Sequence, residues 1–154
     1  MSRVVVNEIE AKVGNDITFN DTVKIDTIKG KTTAGSVTVQ GENTATTNLQ
    51  QGLLKAWANL DGSGTIAILD SFNVSGATDN GTGEYTQTHT NAMNNALYSV
   101  AISSKRSTSS NRSGSQHQDG TFTTAAFKSV FIEFDNDPFH DVDMAFTMVA
   151  GDLA

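Results

Sequence analysis

The sequence contains no cysteine, a single proline and comparatively few charged residues. Its 154 residues include 0 Cys and 1 Pro, and Asp, Glu, Lys and Arg make up 18%, below the ~25% typical of globular domains. The lack of cysteine excludes a disulfide framework, a thiolate zinc site and a cysteine nucleophile. Stability therefore has to come from burial or from association with other chains.

Long apolar runs and an excess of basic residues are also missing. No run approaches the ~18 residues of a membrane span, and the apolar stretch after Arg3 is too short for a signal peptide. The formal net charge is −7, whereas nucleic-acid binding requires a basic surface. We therefore expect neither a nucleic-acid partner nor membrane insertion.

Uncharged polar residues fill the gap, and short apolar runs alternate with them. Thr, Ser, Asn and Gly number 20, 14, 13 and 13. Alternation with period two predicts β-strands, and turn-forming Asn, Asp and Gly separate the runs at the spacing of an all-β domain. Strands are predicted over 23–28, 37–40, 65–69, 72–75, 85–89, 130–134 and 145–149. Short helices are predicted only within 47–58, after a Thr or Asn cap, and within 91–97.

The apolar residues are unevenly distributed, which divides the chain near residue 50. Residues 1–50 contain one aromatic residue, Phe19, whereas 51–154 contain the tryptophan, both tyrosines and seven of the eight phenylalanines. At ~25 cal/mol per Å², the apolar surface of 1–50 is too small to offset the entropy of folding alone. We expect neighbouring chains to complete this part. Four aromatic residues are assigned to the scaffold of 51–154: Trp57, Phe72, Tyr98 and Phe134.

No motif for catalysis or nucleotide binding is found, whether a nucleophile elbow, a phosphate loop, a dinucleotide fingerprint or a zinc motif. The acidic stretch 135–143, with four Asp and one His, is the best candidate for binding a hard cation. Its spacing does not match an EF-hand loop, and a turn between two strands is the favoured interpretation. We therefore expect no resident metal, no cofactor and no enzymatic activity.

A low-complexity segment, 103–118, carries basic residues in an otherwise acidic chain. It is predicted to be a loop between a strand that ends near Ile102 and another that starts near Thr121. Such a loop is either a solvated surface or a contact to an anionic surface polysaccharide. The candidate receptor contacts lie in this segment and in the acidic turn: Lys105, Arg106, Arg112, His117, Asp137, Phe139 and Asp141.

The stretch 52–68 carries a resemblance to a known family. Its Lys-Ala-Trp-Ala-Asn-Leu-Asp-Gly sequence, residues 55–62, resembles a segment of tail-fibre-like proteins of tailed bacteriophages, especially phages of marine bacteria and cyanobacteria. There the segment commonly reads Lys-Ala-Trp-x-Asn-(Phe/Leu)-(Asp/Asn)-Gly. Further similar parts are 70–86, 91–100 and the end 151–154, while 6–9 and 17–23 look like the attachment and stem parts of short fibres.

The resemblance implies an elongated, intertwined homotrimer with an N-terminal β stem and a C-terminal β-sandwich-like knob. Residues 1–50 would form the virion-attachment and stem region, in contact with other virion proteins, and 51–154 the knob. The expected function is that of a virion structural protein, a tail fibre that binds a host surface glycan or protein through its knob.

A capsid head fibre or decoration protein is the alternative, because the same fold could serve either position on the virion. Two other classes fit the sequence less well. A polysaccharide depolymerase usually carries paired carboxylates in a groove on a longer chain, and a secreted carbohydrate-binding module would need a signal peptide.

Overall fold

The computed structural model describes residues 22–30, 37–40, 44–105, 113–117, 122–133 and 139–154, with the backbone alone described over 113–117 and at Glu133. Its strands are β1 (Thr38–Gln40), β2 (Thr46–Asn48), β3 (Ala56–Asp61), β4 (Ala67–Phe72), β5 (Val74–Gly81), β6 (Glu84–His89), β7 (Ser99–Lys105), β8 (Ser113–His117), β9 (Ala126–Glu133) and β10 (Met144–Ala150). The one helix among these residues is α1 (Leu49–Gly52), and no helix in this part of the chain is long and apolar enough to cross a membrane. The expectation of an all-β chain is confirmed.

The strands form two four-stranded antiparallel sheets and a separate two-stranded one. We call the sheet with the order β4-β3-β10-β7 the front sheet and the sheet with the order β5-β6-β9-β8 the back sheet, while β1 pairs with β2 alone. The first and last strands of the sandwich, β3 and β10, lie side by side, with Trp57 opposite Met148 and Leu60 opposite Ala145. The two ends of residues 56–150 are therefore joined in the middle of the front sheet.

The front and back sheets pack face to face through two groups of buried side chains. One contains Leu60 and Ala145 from the front sheet with Tyr85 and Phe131 from the back sheet. The other contains Ala56 and Val149 with Phe127, Met93 and Tyr98. Alternation along the strands directs every second residue into this interface, as the period-two pattern predicts.

A polar contact crosses the core between these two groups. The Thr147 hydroxyl donates a hydrogen bond of 2.8 Å to the side-chain oxygen of Gln87, and both residues are buried. Because Thr147 belongs to β10 and Gln87 to β6, this bond joins the two sheets. A buried hydrogen bond of this kind fixes the register of the sheets more than it adds stability.

The antiparallel strands give the sandwich two distinct ends. We call the end at which the chain enters β3 the entry end; there the Lys55 amide donates to the Val149 carbonyl at 2.8 Å, and Gln51 Nε2 donates to Asp152 Oδ1 at 2.6 Å. We call the opposite end, where β3, β5, β7 and β9 finish, the loop end. The chain before β3, which we call the N-terminal part, therefore enters the sandwich at the end opposite to the loop end.

A corner at Asn73 carries the chain from the front sheet to the back sheet. Asn73 is the one residue other than glycine with a positive φ among those described, at 57°. Its amide Nδ2 donates to the carbonyls of Lys55 (2.9 Å) and Asn91 (3.2 Å), and its Oδ1 accepts from the Asn91 amide at 2.7 Å. Asparagine suits the site because it tolerates this backbone conformation and satisfies the turn.

The short helix predicted within 47–58 is confirmed as a single turn. Asn48 caps α1, and its Oδ1 accepts from the Gln51 amide at 3.0 Å, as expected of an asparagine N-cap. The chain then passes into β3 at Ala56.

Four local predictions were wrong. The strand predicted over 72–75 is divided by the corner at Asn73, since β4 ends at Phe72 and β5 begins at Val74. Residues 91–97 form no helix, because the Met93 amide instead donates to the Thr124 carbonyl and an isolated bridge joins Met93 to Leu153. The segment 103–118 is not one loop, since β7 continues to Lys105 and β8 pairs with β9. Residues 23–28 form no strand in the part of the chain that the structure describes.

Two replacements of Asn73 distinguish the contribution of its hydrogen bonds to stability from that of its backbone conformation. We expect Asn73→Gly to lower the free energy of unfolding by about 2 kcal/mol, because the carbonyl of the buried residue Lys55 loses its donor and the corner loses its bonds to Asn91. Asn73→Ala loses the same bonds and adds the cost of a positive φ, a further ~1–2 kcal/mol. Chemical denaturation at one fixed protein concentration measures both. Equal losses in the two variants would contradict the proposed strain.

Acid should destabilise the fold through His89. This side chain is 5% exposed and its ring packs against Tyr98 and Phe127 at centroid distances of 5.6 and 5.9 Å. Burial lowers the pKa of His89 below its usual value of 6.5, so the unfolded chain takes up the proton first and stability falls as the pH drops through that value.

We expect the melting temperature to fall between about pH 7.5 and pH 5, and to fall less in His89→Phe, which keeps an aromatic ring but cannot be protonated. The difference between the two proteins isolates His89 from the other histidines. A pH dependence that is identical in both would contradict its assignment.

Candidate functional site

Strand register brings the two candidate segments to the same end of the sandwich. Lys105, the last residue of β7, is the partner of Met144 at the start of β10. Ser113, the first residue of β8, is the partner of Glu133 at the end of β9. The chain therefore leaves and re-enters the sandwich at the loop end both between Lys105 and Ser113 and between Glu133 and Phe139.

A buried tyrosine holds the loops of this end together. The Tyr85 hydroxyl lies 2.9 Å from the Gly62 carbonyl oxygen and 3.2 Å from Asp141 Oδ1, and the Val142 amide donates to it at 3.4 Å. Burial raises the pKa of Tyr85 well above its usual range, so the hydroxyl keeps the proton that it donates. The turn after β3 and the segment before β10 are thereby fixed to β6.

Gly83 connects the turn between β5 and β6 to the segment before β10. Its amide donates to Asp141 Oδ1 at 2.8 Å and its carbonyl accepts from the Phe131 amide at 2.8 Å. Gly83 has a φ of 69°, and a Cβ there would meet the carbonyl oxygen of His140 and, at 2.8 Å, the amide nitrogen of His140 and the carbonyl oxygen of Phe131. The turn between β5 and β6 can approach the 139–143 segment this closely because residue 83 has no side chain.

The structure places three of the predicted receptor contacts at the loop end. Lys105, Phe139 and Asp141 are exposed there, although they lie up to 36 positions apart in the sequence. Asp141 also has a structural role, since its Oδ1 accepts from Gly83 and contacts the Tyr85 hydroxyl. The sequence offered no direct signal for this second role.

The other predicted contacts are described in part or not at all. The backbone of His117 ends β8 opposite Ser129, so His117 lies on the edge strand of the back sheet. Arg106, Arg112 and Asp137 lie outside the described residues, as does the predicted scaffold residue Phe134.

Asp61, the last residue of β3, is a further carboxylate at this end. The Ser63 hydroxyl and amide donate to Asp61 Oδ1 at 2.7 and 2.9 Å and lower the pKa of that carboxyl. Among the residues whose positions are described, no group of three His, Cys, Asp or Glu could hold a metal ion. An exposed lysine, aromatic ring and carboxylate from separate segments are groups that contact a surface ligand.

The aromatic scaffold assignment was correct for Tyr98 and wrong for Phe72. Tyr98 is 7% exposed and its hydroxyl donates to the carbonyls of Thr123 and Ala126, at 3.0 Å each. Phe72 is 52% exposed and is paired with Trp57 on the outer face of the front sheet. Sequence alternation could not distinguish the two faces of β4, because apolar residues occur on both.

A pair of glycine replacements tests how the loop end is built. Gly64 has nearly the same φ as Gly83, 67° against 69°, but nothing lies within 4 Å of its absent Cβ. We expect Gly64→Ala to cost about 1–2 kcal/mol of unfolding free energy. Gly83→Ala should cost more, about 3 kcal/mol or above, because the backbone of His140 has to move. Denaturation curves give both values, and equal costs would argue against the close approach.

Comparison of the chain with known proteins found no matching protein family, curated protein or solved structure.

Proposed function

We propose that this protein is a virion structural protein, a tail fibre of a tailed bacteriophage that binds the host cell surface through its loop end. The proposal combines the resemblance of residues 55–62 to tail-fibre-like proteins with one structural observation. The candidate contacts that the structure describes at the loop end, Lys105, Phe139 and Asp141, lie opposite the end at which the N-terminal part enters the sandwich.

This separation is the geometry that an adhesin on a fibre needs. The N-terminal part would attach to the virion, and the loop end would then face away from it. Loops held on a rigid β scaffold can vary without loss of the fold, and the Tyr85 contacts supply the rigidity here.

The mechanism is avidity rather than tight binding at one site. Several copies of the loop end on one fibre, and several fibres on one particle, convert weak contacts into firm attachment because later contacts form at high effective concentration. The candidate contacts to an anionic glycan are Lys105, Arg106 and Arg112, three of the 10 basic residues in a chain of net charge −7.

Charge-matched variants test this assignment. The segment 104–118 as a whole is unsuitable for deletion, because it contains β8, which pairs with β9. We expect Arg106→Ser with Arg112→Ser to lower adsorption of the purified protein or of phage particles to host cells by about tenfold or more. Lys24→Ser with Lys29→Ser removes the same charge from exposed residues of the N-terminal part and should leave adsorption unchanged.

Unchanged adsorption in the Arg106 and Arg112 variant, or an equal loss in the control, would contradict binding through this end. Location on the particle is measured separately by density in the intact virion. Copies at capsid symmetry positions would replace the tail fibre with the alternative, a head fibre or decoration protein.

A further inference from the structure

The outer face of the front sheet carries an apolar stripe that the fold of one chain leaves uncovered. Phe72, Trp57 and Met148 follow one another across β4, β3 and β10, and Phe146 lies beside Met148 on the same face. Phe72 and Met148 are 52% and 50% exposed. We call these four residues the apolar stripe. Three of them, Trp57, Phe146 and Met148, line a shallow groove of about 310 Å³ together with Leu54.

The sequence of β10 indicates that both faces of this sheet are buried in the working protein. Ala145 and Val149 point into the core, whereas Phe146 and Met148 point outward. An antiparallel sheet with one face in water normally alternates apolar and polar residues. A strand that is apolar on both sides is instead typical of a sheet covered on both faces.

The size of the stripe fits the centre of a protein interface. Aromatic side chains have surfaces of roughly 150–250 Å², so the partly exposed residues of the stripe leave on the order of 300–400 Å² of apolar surface. A stable interface buries about 800 Å² per partner, with an apolar centre and a polar rim. Ser103, which is exposed beside Phe146 on the same face, is suited to such a rim.

Charges of opposite sign at the two edges of this face indicate that a second copy of the chain covers it. Asp70 lies on the outer face of β4, beside Asn59, and Lys105 lies on the outer face of β7, beside Met144. A second copy of the chain carries both partners of this pair. The two positions differ by one outward step along the strands, about 7 Å, which the long lysine side chain can span.

We propose that copies of this chain associate through the apolar stripe, with the symmetry axis parallel to the strands of the front sheet. A rotation about that axis places the Asp70 edge of one copy opposite the Lys105 edge of the next. An axis across the strands would place like charges together, which is unfavourable. Rotation about the strand direction also keeps all loop ends at one end of the assembly and all entry ends at the other.

This inference specifies the interface of the oligomer in the proposed function, and its test does not involve host cells. We expect sedimentation of the full chain to give a multiple of 16.3 kDa, and Phe72→Lys with Met148→Lys to sediment as a folded single chain. Leu97→Lys is the control, because Leu97 is an apolar residue, 91% exposed, outside the stripe. It should leave the oligomer intact.

A charge exchange keeps the proposal testable if the stripe variant fails to fold. Asp70→Lys alone and Lys105→Asp alone should each raise the dissociation constant about tenfold, and the double exchange should restore it to within a few-fold. Far-UV circular dichroism verifies that each variant is folded.

Two results would overturn the proposal: a monomeric wild-type chain at micromolar concentration, or an oligomer that survives the Phe72 and Met148 changes. If the wild-type chain is monomeric and these changes abolish host adsorption, the apolar stripe binds a ligand instead of a second copy. Normal assembly with no effect of the Arg106 and Arg112 changes on adsorption would leave this interface supported while contradicting the proposed function.

Discussion

The antiparallel pairing of β3 with β10 is the contact on which the rest of the structure depends. Its register sets Leu60 against Ala145 in the core and Trp57 against Met148 on the outer face. Because these are the first and last strands of the sandwich, the pairing also closes the chain. The Lys55 amide bond to Val149 extends it to the entry end, and the ammonium group of Lys55 donates to the carbonyls of Gln50 and Leu53. A slip of one residue would exchange the core and the outer stripe.

Polar groups inside the sandwich make that register unique. Apolar packing alone tolerates small shifts, whereas a buried donor without its acceptor is costly. The Thr147–Gln87 bond at the middle of the core and the Tyr85 contacts at the loop end therefore act as fixed points between the sheets. Exposed residues such as Phe139 therefore lie beside a segment that is already anchored through Asp141.

Part of the sandwich could be predicted from the sequence, because the alternation of its strands is a local property: β6 and β10 were predicted, and β4, β5, β7 and β9 in part. β3, on which the fold depends, was not among the predicted strands. The same reasoning identified the Asn48 cap of α1. It failed where distant residues decide the outcome: Met93 bonds to Thr124 rather than to its own turn, and β8 is a strand only because β9 lies beside it. For the candidate site, residue types such as Lys105 and Asp141 could be selected, but their convergence depends on strand order. The outward position of Phe72 was missed for the same reason.

Apolar surface is left uncovered in the N-terminal part of the chain as well as on the front sheet. Val23, Ile25 and Ile28, on the chain before the entry end, are 47%, 61% and 59% exposed, and the pair β1–β2 has no further strand beside it among the described residues. An isolated two-stranded sheet is at best marginally stable in water. If copies associate about an axis along the strands, their entry ends coincide, and the apolar residues of each N-terminal part meet those of its neighbours. The apolar stripe and the N-terminal part would then have the same partner, and a chain without cysteine would obtain from its copies the stability that a disulfide otherwise supplies.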